Sequence, residues 1–370
     1  MIDLLNLTKT EMRDLFASWS EPTYRANQID QWVYREHVTD FDSMTNLPRD
    51  LRARLTESAT IGAPKTIAET ESADGLTRKA LLQLFDGQTI ETVLMLYPDA
   101  PGSPEDDAQP GIKRRTVCIS TQVGCPIGCP FCATGQAGFI RNLTASEIVA
   151  QVLHFAREGS PITNVVIMGM GEPFMKFNVT WQAIQSLTDP DRLGLGARHI
   201  TVSTSGEVPG IEQMTHKELQ INLAVSLHAP DDELRNVLVP LNRKFPLKTL
   251  MRAVRSYTEQ TRRRVTFEYA LMDGINDKPE QARALTQLLR KQLCHVNLIP
   301  LNPTTASPYG RTPYERVKQF ERILLNANIP TTLRVEKGIE IAAGCGQLRQ
   351  VVGRKAQETR HLQNERNQAA

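Results

Sequence analysis

Three cysteines fall close together in the stretch Cys125-Pro-Ile-Gly-Cys129-Pro-Phe-Cys132. The prolines and Gly128 between them favour a tight loop, and such a loop can turn three thiolates toward one inorganic centre without help from distant chain. A four-iron cluster has four corners, so three local ligands leave one iron open to a small molecule, as a catalytic rather than an electron-carrying cluster requires. The competing chemistry is a structural zinc knot with Cys118 as the fourth ligand. Cys118 stands in a strand-like run, outside the usual tight zinc pairings, and this favours the cluster. Phe131, beside the last ligand, is expected to pack there and keep water off the centre.

Further polar motifs recur at the ends of expected strands. Met168-Gly169-Met170-Gly171-Glu172-Pro173 carries two glycines that would let backbone approach a ligand closely, and Glu172 can accept hydrogen bonds from an ammonium group. Ser203-Thr204-Ser205-Gly206, Ser226-Leu227-His228 and Asn302 follow later strands in the same way. Each alone reads as a strand-end turn; together they read as one site. His228 either meets a ligand or orients a neighbour. Cys345 has glycine on both sides, which suggests a mobile, exposed thiol, whereas Cys294 lies in an apolar, strand-like context and reads as a small buried residue.

The elements that must hold these residues are legible from periodicity. Residues 1–60 carry helical spacing, with Thr8 and Thr10 as candidate caps and Pro48 at a helix start, and predict three short helices in a small accessory domain. Residues 61–112 predict a β-hairpin, Lys79–Phe85 and Thr89–Tyr97 about the turn Asp86-Gly87, followed by an exposed loop over 98–110. Residues 113–350 form the core. Strands are expected at Thr116–Ser120, Asn164–Met168, His199–Ser203, Asn222–Ser226, Val265–Leu271 and His295–Leu301, with an edge strand at Thr332–Val335. Helices are expected at Ala145–Arg157, Trp181–Leu187, Leu247–Gln260 and Lys278–Lys291. The fold class is therefore α/β, either an open doubly wound sheet or a partial (βα)6 barrel. The barrel is preferred because polar motifs gather just after strands. Residues 351–370 form a polar tail, expected to be disordered or a frayed helix.

Composition sets outer bounds. The chain has 370 residues, 40% of them hydrophobic, and a formal net charge of +2. That charge is too small to announce a polyanion partner, so any nucleic-acid surface must come from local clusters. Lys113, Arg114, Arg115, Arg141, Arg262, Arg263 and Arg264 are candidates for phosphate contacts, as are Arg25, Arg35, Arg49, Arg52 and Arg54; such runs more often face water. No apolar run reaches membrane-span length and the start lacks a secretory pattern, so a cytoplasmic protein without a membrane partner is expected. Six cysteines, three in one loop, fit a reducing compartment.

The Cys-x-x-x-Cys-x-x-Cys loop after a first barrel strand resembles the radical S-adenosylmethionine enzymes. The set ValGlyCys, GMGEP, STSG, SLHAP, IPLNP and AlaGlyCysGlyGlnLeu, with YRANQIDQWVY near the N terminus, is similar to the RlmN/Cfr family of RNA adenine methyltransferases over nearly the whole chain. Gly344 stands where alanine is commoner in that family, a small-for-small change. The resemblance implies a [4Fe-4S] cluster on Cys125, Cys129 and Cys132. It places S-adenosylmethionine, two per turnover, on Gly171, Glu172, Ser203, Ser226, Leu227, His228 and Asn302. It makes Cys345 a methyl carrier, Cys118 the cysteine that releases the product through a disulfide with Cys345, and Glu91 a proton acceptor. Without the resemblance, Glu91 reads as a solvent-facing strand residue. The implied reaction is methylation of adenine carbon 2 in 23S ribosomal RNA and in transfer RNA by way of a 5′-deoxyadenosyl radical. Carbon 8 is the alternative position, and a non-catalytic RNA-binding protein with a structural metal is the alternative class. A flavodoxin or ferredoxin as electron donor and a monomeric state are also expected.

Overall fold

The computed structural model describes residues 1–98, 112–302 and 307–334. At the N terminus a two-residue strand β1 (Ile2–Asp3) precedes α1 (Lys9–Ser18), which Thr8 and Glu11 cap reciprocally, each side chain accepting from the other's backbone N–H. Thr10 lies inside that helix. Next come α2 (Tyr24–Tyr34) and α3 (Arg49–Ser58), the latter entered through Pro48 as expected, and β2 (Ala59–Thr60), which pairs parallel with β1. Their apolar stripes, among them Phe16, Ile29, Val33 and Leu55, join one continuous core with the rest of the molecule. A buried ion pair at 3.1 Å between Asp30 of α2 and Arg192 of the core crosses the same junction.

Three antiparallel strands follow: β3 (Lys65–Glu71), β4 (Thr77–Gln83) and β5 (Thr89–Pro98). The expected hairpin about Asp86-Gly87 is present, and Gly87 takes φ +80°, which the turn requires. The strand β3 was not expected, because its exposed edge alternates polar residues with few β-branched ones and offers little hydrophobic signal. Then β6 (Ile112–Cys118) begins the parallel part, and a small antiparallel pair, β7 (Gln122–Gly124) and β8 (Phe139–Asn142), brackets α4 (Ala133–Gln136).

Alternation takes over from there. In order come α5 (Ala145–Ala156), β9 (Asn164–Ile167), α6 (Phe177–Thr188), β10 (Ile200–Thr204), α7 (Val208–Thr215), β11 (Asn222–Ser226), α8 (Asp232–Leu238) and α9 (Leu247–Thr261). Then follow β12 (Val265–Leu271), α10 (Pro279–Leu288), β13 (Cys294–Pro300), α11 (Tyr314–Asn326) and the edge strand β14 (Thr331–Leu333). The ten-stranded sheet runs β14-β13-β12-β11-β10-β9-β6-β5-β4-β3, parallel from β14 to β6 and antiparallel beyond. The six strands from β6 to β13 are those the sequence predicts, and the architecture is the partial barrel with an antiparallel extension.

Register decides what faces inward. Paired residues share a face of a sheet. Lys79 pairs with Val93, Val93 with Cys118 and Cys118 with Val166, while Ser226 pairs with Glu268 and Glu268 with Asn297. The chain's motifs thus occupy one inner face at the C-terminal ends of the parallel strands, where such sheets bind ligands.

Candidate active site

The cysteine loop is framed before it is filled. Gly124 closes β7 at φ +81°, and a Cβ there would stand 1.9 Å from the Gly138 carbonyl oxygen, so only glycine lets the two arms of the loop approach. Cys125 N–H donates to Gly138 O at 2.9 Å, Cys132 N–H to Cys129 O at 3.1 Å, and the Gln136 amide to Pro130 O at 2.6 Å. Cys125, Cys129 and Cys132 all border one cavity of about 230 Å³. Burial and the neighbouring sulfurs push the Cys125 thiol up to about 12 and the Cys129 thiol well above its ordinary value. Thiols so placed ionise readily only against a cationic centre. Among the described residues no three His, Cys, Asp or Glu side chains are gathered as around a single metal ion.

The opposite walls come from successive strand ends. Met168, Gly171 and Glu172 follow β9, Ser203 lies in β10, and Ser226 and His228 close β11. Gly171, at φ +109°, would press a Cβ to 2.6 Å from Gln122 Cβ, so its glycine brings the β9 loop onto β7. Glu172 is buried, and burial raises its carboxyl above the ordinary range. Its Oε2 accepts from Ser205 N at 2.7 Å and Ser205 Oγ at 2.6 Å, and its Oε1 accepts from Phe174 N at 3.2 Å. A further side-chain hydrogen bond from Thr204 joins these three, so the carboxylate is held on all sides by the β9 and β10 strand ends.

His228 sits at φ +59°, a conformation unusual outside glycine. Its Nδ1 accepts from Ala270 N–H at 3.0 Å, which fixes the proton of the neutral ring on Nε2 and makes that atom a donor. Burial, followed by the Arg235 charge, pushes its pKa down to about 3, so the ring is neutral at physiological pH. The ring meets Phe131 edge-on at 4.9 Å, and both side chains border the cavity. Leu227 is fully buried and offers the site only backbone: its N–H donates to Glu268 O at 3.0 Å. Asn302 is half-buried just beyond β13, next to the undescribed residues 303–306.

Cys118 is partly buried at the end of β6; burial raises its thiol to about 11 while Arg334 and Lys79 oppose the rise. Glu91 is not solvent-facing, as the bare strand pattern suggests: its side chain is 2% exposed and ion-paired at 2.7 Å with Lys79, which is 0% exposed. Cys345, the loop around it and the 351–370 tail lie outside the described residues, as does nearly all of the 98–110 loop.

Two groups were not singled out from sequence. Arg235 is fully buried on α8 and donates to the carbonyls of Leu227 at 3.0 Å, Ser205 at 2.7 Å and Ser226 at 3.1 Å, and to Asn242 Oδ1 at 2.8 Å. It clamps the ends of β10 and β11 and brings positive charge near Cys129. In sequence it is one more arginine among charged neighbours. Glu268, on the cavity wall, is held by Asn297 at 2.8 Å, and burial raises its carboxyl. The candidate RNA arginines fare differently. Arg141 is engaged by Asp86 and Glu147, Arg115 by Glu158, Arg35 by Pro190 O, Arg52 by Asp42 O and Arg263 by Asn222, while Arg114 lies 3.8 Å above the Tyr97 ring.

A partial barrel with a three-cysteine loop at its mouth defines a radical S-adenosylmethionine protein, and the family model for the radical SAM superfamily matches residues 119–285. The model for the ribosomal RNA large subunit methyltransferase N-terminal domain matches residues 2–61. A probable dual-specificity RNA methyltransferase RlmN of Chloroflexus aurantiacus is 48% identical over 93% of this chain and 92% of its own length. The dual-specificity RNA methyltransferase RlmN of Halorhodospira halophila is 46% identical over 94% and 93%. The crystal structure of a radical SAM methyltransferase from Sphaerobacter thermophilus superposes with a TM-score of 0.88 at 49% identity, covering 94% of this chain and 99% of that one. The chain belongs to the RlmN family of radical SAM RNA methyltransferases. A [4Fe-4S] cluster and S-adenosylmethionine follow from that class, and the three thiols and the walled cavity fit them.

Proposed function

We propose that this enzyme methylates carbon 2 of an adenine in 23S ribosomal RNA and in transfer RNA, using Cys345 as methyl carrier. The observation that supports the reading is a cavity lined by the cysteine loop together with Glu172, Ser203, Ser226 and His228, with Cys118 and the Lys79–Glu91 pair on neighbouring strands of the same sheet face. Dual specificity is what the relatives' names state of them.

Cys125, Cys129 and Cys132 hold the cluster, and Gly171, Glu172, Ser203, the Ser226–His228 segment and Asn302 hold S-adenosylmethionine. The cluster supplies, when bound with S-adenosylmethionine, one-electron cleavage to a 5′-deoxyadenosyl radical. Glu172, on the cavity wall, offers its carboxylate to an ammonium group, and His228 offers its Nε2–H as a donor. Phe131 and the wall residues exclude water from the centre. The Cys345 sulfur receives a methyl group from one S-adenosylmethionine, and a second is consumed in activating that methyl. Adenine carbon 2 has no lone pair for a polar methyl transfer, which is why a carbon radical is needed. Addition of the carbon-centred radical to carbon 2 leaves one unpaired electron on the ring; Glu91 takes the carbon 2 proton, and that electron passes to a one-electron carrier of the flavodoxin or ferredoxin class, leaving a closed-shell thioether. Cys118 then attacks the Cys345 sulfur; the S–S bond forms as the S–C bond breaks, and the bonding pair stays with the transferred carbon, which takes up a proton to become the methyl group.

Residues 1–60 are proposed as an RNA-binding accessory domain, 61–112 as its linker and extension, and 113–350 as the catalytic core. The target base must be unstacked to bring its carbon 2 to Cys345, so a loop or hairpin is the expected RNA element. Mass spectrometry of ribosomal and transfer RNA from cells lacking the protein tests the position. Loss of 2-methyladenosine from both is expected; loss of 8-methyladenosine instead, or no change, would overturn the assignment.

A further inference from the structure

The Lys79–Glu91 ion pair is buried, with side chains 0% and 2% exposed and Nζ 2.7 Å from Oε2. Taking two charges out of water is costly, and a buried pair is weak evidence of a purely stabilising role, since well-packed apolar residues often serve as well. The placement of this pair is specific. Lys79 of β4, Val93 of β5 and Cys118 of β6 are direct partners across three strands, and Glu91 stands two residues from Val93 on the same face. The strand ends are pinned by Thr92 Oγ1 donating to Cys118 O at 3.0 Å and Ser120 Oγ donating to Glu91 O at 2.7 Å.

We propose that Lys79 is a positioning residue that fixes the Glu91 carboxylate and sets the charge felt by the Cys118 thiol, so that protonation of Glu91 promotes ionisation of Cys118. The proposal rests on the reading of Glu91 as proton acceptor and Cys118 as resolving thiol. Among the described residues the charged groups that bear on Cys118 are Lys79 from β4, Glu91 from β5 and Arg334 beyond β14. With Glu91 ionised, its charge offsets that of Lys79. When a proton moves from adenine carbon 2 to a Glu91 oxygen, the C–H bonding pair stays on the ring and the carboxylate charge disappears. Loss of the Glu91 charge makes the row of Cys118 more positive while Lys79 keeps its charge, and this favours the thiolate. Disulfide release needs that thiolate, so the pair orders the two events: proton removal first, sulfur attack second.

The test measures the iodoacetamide alkylation rate of Cys118 against pH, by peptide mass spectrometry on reduced, cluster-loaded enzyme. Cys294, buried at the opposite end of the barrel, is the internal control for folding. In Lys79→Met the midpoint rises by about one pH unit, in Glu91→Gln it falls by a comparable amount, and Lys79→Arg stays near wild type. An unmoved profile in Lys79→Met with Cys294 still protected overturns the proposal. If Lys79→Met exposes Cys294, Glu91→Gln decides alone: an unmoved or upward profile overturns it. Failure of the underlying reading looks different, because normal turnover by Cys118→Ala would remove the resolving role while leaving these profiles in place.

Discussion

At the scale of residues, the site is a set of polar groups whose protonation states are set by burial and by one or two fixed partners. His228 shows this most simply. Its Nδ1 is committed to Ala270 N–H and its pKa is pushed down to about 3, whereas an unfolded histidine titrates near 6.5. Between those values the unfolded chain binds more protons than the folded one, so the ring lowers stability as pH falls below about 6.5. Urea midpoints measured at pH 7.5 and 5.5 are expected to drop less in His228→Asn, a residue at ease at positive φ, than in wild type. Equal drops would show that His228 is not the titrating group. The loop cysteines, Glu172 and the strand-end serines were legible because their chemistry is local and their spacing unusual. Lys79 and Arg235 were not, because a lysine inside a strand and an arginine on a short helix carry no spacing signal; only register and burial distinguish them from surface charges.

At the scale of elements, the antiparallel extension is tied to the cysteine loop's flank by one side chain. Arg141 of β8 donates to Asp86 at the β4–β5 turn at 2.7 Å and to both Glu147 oxygens at 2.8 Å, and Glu147 also caps α5. Bidentate, charge-assisted pairs of this kind are among the stronger surface contacts. Arg141→Met is expected to lower unfolding free energy by about 1 kcal/mol, read from urea denaturation. A change within error would mean that the turn is held by the sheet alone. Element boundaries of the barrel strands followed the sequence closely, with Asn222–Ser226 and Val265–Leu271 as expected. The helices α7, α8 and α11 were missed. The first two are short, at 8 and 7 residues, and begin just after motif segments that read as turns. For α11 a signal was present, since Pro313 precedes Val317, Phe320 and Leu324 at helical spacing.

At the scale of the whole molecule, the N-terminal helices and the barrel share one core, and the Asp30–Arg192 pair spans their junction. Among the described residues no helix is long and apolar enough to cross a membrane. The alternating pattern of strands and helices was enough to reach the partial barrel, because parallel strands buried on both faces leave long apolar runs. The antiparallel extension was only half legible, since its outer strand is an exposed edge. What the sequence could not place was the meeting of distant residues: Lys79, Glu91 and Cys118 share one sheet face only through strand register. The central claim is that a carbon carried by Cys345 joins adenine and that Cys118 releases it. Tandem mass spectrometry of Cys118→Ala purified with its RNA tests this directly. The account predicts a covalent link from the Cys345 sulfur through one carbon to carbon 2 of an adenine. Free, normally methylated RNA from that variant, with no linked species, would contradict it.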